Sequence, residues 1–66
     1  MAKVAIETDV GRGETMFAQV IRIPGGGGLH CTGDRPTGRA AIQEARTWAA
    51  KHRHRVFSVN GRAVRA

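Results

Sequence analysis

The chain has 66 residues, of which 41% are hydrophobic and 24% charged, with three aromatic side chains, one cysteine and a formal charge of +6. That length sustains one small domain, residues 1–66, which buries only about 60% of the surface its unfolded chain exposes. The lone cysteine excludes an internal disulfide framework, no apolar run reaches the ~18 residues of a membrane span, and Met1-Ala2-Lys3-Val4 does not open like a signal peptide, so a cytoplasmic protein is expected.

Lys3–Thr8 alternates as a strand with Val4 and Ile6 on one face. Asp9–Glu14 has the glycines and acids of a hairpin loop, and Thr15–Ile23 reads as the returning strand. The faces of that strand are Phe17/Gln19/Ile21/Ile23 and Met16/Ala18/Val20/Arg22. The first is the more apolar and is expected to face the core. Pro24 ends the ladder, and the glycines Gly25–Gly28 make residues 24–28 a flexible loop. No Gly-Lys-Ser/Thr follows them and no helix starts behind them, so the tract reads as a hairpin tip rather than a phosphate cradle. Leu29–Thr32 is an optional third strand, and Gly33–Pro36 turns into the helix.

Gly38–Arg53 is rich in good helix formers, with Pro36 or Thr37 opening it. Ala41, Ile42, Ala45, Trp48, Ala49 and His52 recur at three- and four-residue spacing to make one face. Beyond it, Val56–Val59, Asn60-Gly61 and Arg62–Val64 give a hairpin on a type I′ turn, pairing Val59 with Arg62 and Phe57 with Val64. The expected fold is α+β: a small antiparallel sheet of four to five strands, β-β-(β)-α-β-β, with one amphipathic helix packed on one face. Phe17, Ile21, Ile23, Leu29, Trp48 and Phe57 are expected in its core beside Val4, Ile6, Ile42, Ala45, Ala49, Val59 and Val64.

Chemistry is sparsely signalled. His30, Cys31, His52 and His54 do not have the spacing of a zinc site, and no carboxylate or amide is placed to orient a Cys–His pair. Cys31 reads as a half-buried small thiol. The five acids form no pair for general acid–base work. No catalytic residue, metal or cofactor is assigned, and a non-enzymatic binding role is expected.

Charge is the informative feature. Residues 1–34 hold Lys3, Arg12 and Arg22 against Glu7, Asp9, Glu14 and Asp34, a net −1. Residues 35–66 hold eight cations against Glu44 alone, a net +7. Arg39, Arg46 and Arg53 are seven apart, drifting only about 20° per step along a straight helix. With Arg55, Arg62 and Arg65 they form the candidate site for a phosphate backbone or an acidic protein surface. Phe17, Trp48 and Phe57 are all assigned to the core, which argues against base stacking and sequence-specific reading.

In size and layout, with helix Thr37–Arg53 set against hairpin Val56–Val64, the chain resembles the small α+β proteins of phages and mobile elements, anti-CRISPR proteins among them. That resemblance implies an inhibitor occluding a host nucleoprotein complex, such as a CRISPR effector, through the basic face. The charge of +6 departs from the acidic DNA mimics of that group. The alternative is a sequence-tolerant DNA- or RNA-binding module of a regulator or mobile element. A core this small also leaves room for a homodimer, through an open sheet edge or through Cys31.

Overall fold

The computed structural model describes residues 2–64. In chain order the elements are β1 (Ala2–Val10), β2 (Met16–Ile23), β3 (Gly28–Cys31), α1 (Gly38–Lys51), β4 (His54–Val59) and β5 (Arg62–Ala63). They form one five-stranded sheet, ordered β3-β2-β1-β4-β5, with α1 across one face. The expected α+β class and its element order are realised. One pairing departs from the antiparallel expectation: β4 lies parallel to β1, so the sheet is mixed. The cause is the crossover. β3 runs in the direction of β1, α1 returns over the sheet, and the next strand must run that way again.

Antiparallel register sets the inside of the sheet. Ile6 pairs with Val20 and Thr8 with Ala18, so the even-numbered residues of both strands share a face. Val4, Ile6, Ala18 and Val20 are fully buried there against Ala41, Ala45 and Ala49 of α1. Ile42, Trp48, Val56 and Val59 pack around this cluster. Phe17, Ile21 and Ile23 are therefore on the opposite face, half-buried, and Leu29 and Phe57 are exposed; the sequence-based expectation that they fill the core is corrected. The helix meets the sheet through alanines alone along its central row, which lets the backbones approach and suits the small Ala18 and Val20 better than Phe17 and Ile21.

Local signals explain the ends of the elements. Thr37 caps α1, its Oγ1 accepting from the Ala40 amide at 3.1 Å. The helix stops at Lys51, with His52 as C-cap and Arg53 at φ 59°. Asn60 and Gly61 have φ of 51° and 82°, as a type I′ turn needs, and Val59 pairs with Arg62 as expected. The Val64 amide donates to the Phe57 carbonyl at 2.9 Å. Phe57 and Val59 nevertheless point to different sides, because the β1–β4 register slips by one residue between Val4/Ala5 and inserts Phe57 as a bulge. Asn60 also ties this turn to β1, its amide donating to the Ile6 carbonyl and its Oδ1 accepting from the Thr8 amide, at 2.8 and 2.9 Å. The glycine tract closes on itself: the Gly26 amide donates to the Arg22 carbonyl and the Arg22 amide to the Gly27 carbonyl.

If alanine contact holds the helix to the sheet, Ala45→Leu overpacks it and lowers unfolding free energy by about 1–3 kcal/mol in urea titration. Thr37→Ala costs about 1 kcal/mol by loss of the cap. An unchanged midpoint for Ala45→Leu contradicts the packing described.

Candidate functional site

The two ends of the sheet differ in charge. At the end where β1 starts, register places Lys3 beside Arg55 and Val4 beside Arg22, and α1 finishes there in Lys51, His52 and Arg53. At the far end lie Asp9, level with Phe17, and the loop carrying Glu14. Asp34 is there too, its Oδ2 accepting from the Arg12 amide at 3.3 Å. Arg12 and Arg62 also lie at that far end, so the contrast is between cations alone at one end and both signs mixed at the other. Lys51 also sits in the last helical turn, where the macrodipole favours a cation.

The six candidate arginines do not share one surface. Arg39 and Arg46 are exposed on the outer side of α1, away from the alanine row. Arg53 is exposed but lies beyond the helix, so it does not extend their line; the C-cap at His52 turns the chain before it. Arg55 pairs with Lys3 while its neighbour Val56 packs on the core, which puts Arg55 on the sheet face away from α1. Arg62 begins the edge strand β5 opposite Val59, at the end remote from Arg55. Arg65 lies outside the described residues.

The structure brings Arg46, Lys51 and Arg53 to the C-terminal half of α1 and the turn after it. Arg22 is exposed on the same side of the sheet. Lys51 and Arg22 escaped the sequence argument because neither belongs to the seven-residue spacing. The signal was their closeness to a helix end and to a strand end. Among the described residues the one ion pair is Arg35–Glu44, reinforced by Arg35 Nε donating to Glu44 Oε1 at 2.6 Å. Glu44 is the sole acid of α1, and Arg35 occupies it. No carboxylate compensates Arg39, Arg46, Lys51 or Arg53 among the described residues.

All three histidines stack on the one tryptophan. His30 lies 4.7 Å from Trp48 at an interplanar angle of 4°, His52 4.3 Å away at 30°, and His54 5.4 Å away at 22°. Trp48 is the platform joining β3, α1 and β4. Ring stacking is not the convergence of nitrogens that a metal needs, and among the described residues no group of three or more His, Cys, Asp or Glu side chains is placed to hold one. Cys31 is exposed rather than half-buried, because β3 is an edge strand and its pairing with Gln19 turns Cys31 away from the helix. No helix among the described residues is long and apolar enough to cross a membrane.

Trp48→Ala removes the shared platform of the three imidazoles and is expected to cost about 2–4 kcal/mol of stability. Denaturant unfolding followed by far-UV circular dichroism checks this, and a loss under 0.5 kcal/mol would show that the stack contributes nothing.

No protein-family model matches the chain, and no curated protein sequence or solved structure shows significant similarity to it.

Proposed function

We propose that this is a non-enzymatic binding protein whose helix side engages a nucleic acid, free or carried in a nucleoprotein complex, without reading its sequence. The observation that carries the reading is the set of exposed cations Arg39, Arg46, Lys51 and Arg53, uncompensated while the helix's one acid is held by Arg35. Cations spaced along a helix and around its end match the repeated charge of a phosphate backbone. Guanidinium groups add forked hydrogen bonding to phosphate oxygens. The phosphate contacts supply affinity, not base identity. Trp48 is engaged by the histidines, and the one aromatic ring that stands among these cations, the exposed His52, is itself stacked on Trp48.

Arg53 supports the reading from a different direction. It occupies the left-handed position after the helix, φ 59°, where glycine is favoured and an arginine costs about 1 kcal/mol. A side chain kept there at that cost is expected to serve something other than stability.

Titration against random duplex DNA and single-stranded RNA at two salt concentrations tests the reading. Binding is expected to fall steeply with salt, and Arg46→Glu is expected to weaken it and to reduce the salt slope by about one. Arg53→Gly is expected to separate the two roles, raising stability by about 1 kcal/mol while weakening binding. If no nucleic acid binds at low salt, the reading fails. The same cations would then be sought against an acidic protein surface, as in an inhibitor of a CRISPR effector. If Arg46→Glu changes no activity, the basic helix side is not the interface.

A further inference from the structure

The sheet face away from α1 carries an apolar surface that no described part of the chain covers. Alternation from the buried Val4, Ile6, Ala18 and Val20 places Phe17, Ile21 and Ile23 on it, each half-buried among its neighbours, around the buried Ala5. The β4 bulge adds Phe57, 46% exposed with the Lys3 ammonium 5.8 Å from its ring centre. Leu29, 36% exposed, borders a shallow depression there with Gln19, Ile21 and Cys31. The core on the other face is modest: its largest fully buried side chains are Ile6, Val4 and Val20, with no aromatic among them. The chain therefore leaves both its phenylalanines outside its own core.

This face is also neutral in a basic molecule. Lys3 and Arg55 stand side by side where β1 begins, and Glu7 and Asp9 stand further along the same strand. Among the described residues none of these four is in an ion pair. Two cations lie at one end and two anions toward the other.

We propose that a second copy of this chain docks on this face, sheet against sheet, with the strands of the two copies antiparallel. A two-fold axis crossing the strands at the level of Ile6 sets Lys3 against the partner's Asp9, Phe17 against the partner's Ile23 and Gln19 against the partner's Ile21, each contact made twice. A two-fold axis along the strands would instead set Lys3 on the partner's Lys3 and Asp9 on the partner's Asp9. Charge therefore selects the antiparallel arrangement. The 29 strand residues, each covering about 4.8 by ~3.4 Å, give a footprint of roughly 470 Å² per copy. Doubled, that is about 950 Å², close to the ~1,000 Å² expected of a specific interface. Aligned sheets stacked ~10 Å apart would enclose Phe17, Ile21, Ile23 and Phe57 in a second core layer. The helices remain on the two outer sides, so Arg39, Arg46 and Arg53 stay free and the inference stands independently of the nucleic-acid reading.

The test is sedimentation equilibrium of the intact chain over a micromolar concentration series. A species of twice the chain mass is expected. Lys3→Asp alone and Asp9→Lys alone should each weaken the dimer roughly tenfold or more, and the two combined should restore it. Phe57→Ser, at an exposed position, should weaken the dimer while far-UV circular dichroism shows an unchanged fold. A chain monomeric at every concentration overturns the proposal and leaves the face for another partner. So does a dimer indifferent to Phe57→Ser and to both charge reversals, because it forms elsewhere. Weakening by each reversal without recovery in the combined variant overturns the antiparallel alignment.

Discussion

Everything in this molecule depends on the register of the first hairpin. Val10 pairs with Met16, leaving the five residues Gly11–Thr15 as the loop, so even-numbered residues of β1 meet even-numbered residues of β2. Val4, Ile6, Ala18 and Val20 then face the helix together. A loop one residue longer would pair Val10 with Phe17 and Thr8 with Gln19 and turn Phe17 and Ile21 inward, because a slip of one residue exchanges the faces of a strand. The loop is fixed by its own bonds: the Gly11 amide donates to the Thr15 carbonyl at 2.8 Å and the Thr15 amide to the Arg12 carbonyl at 3.1 Å. A Cβ at Gly11 would run into the Asp34 carboxylate and the Thr15 hydroxyl, so a side chain there must displace them.

Small side chains on the helix side and large ones on the open side follow from that register. The alanine row of α1 needs small partners, and β2 presents Ala18 and Val20 to it. The larger apolar set goes to the face the helix does not cover, where Lys3, Arg55, Glu7 and Asp9 accompany it. The uncompensated cations of α1 and its C-terminal turn lie on the other side. One sheet thus separates a neutral, apolar surface from a basic one, and the two inferences about function use different sides of it.

What was legible in the sequence was local. The Thr37 cap, the helix and the Asn60-Gly61 turn each announce themselves within a few residues, and each is where its chemistry requires. The phase of β2 was not legible, because its more apolar face is not the face that the hairpin register turns inward. Hydrophobicity alone cannot rank two half-apolar faces when the loop length that decides between them is uncertain by one residue. The parallel β1–β4 pairing was equally hidden: it joins residues some fifty positions apart and leaves no local mark. The arginine line failed at Arg53 for a simple reason. The seven-residue spacing assumes a continuing helix, and the helix ends at Lys51.

The most direct test of this account is a set of nuclear Overhauser contacts from the methyl groups of Ala41, Ala45 and Ala49. The register described predicts contacts to Val4, Ile6, Ala18 and Val20, with none to the Phe17 ring or to Ile21. Contacts from Ala45 to Phe17 and Ile21 would mean that β2 is turned the other way, and the assignment of both faces would fall with it.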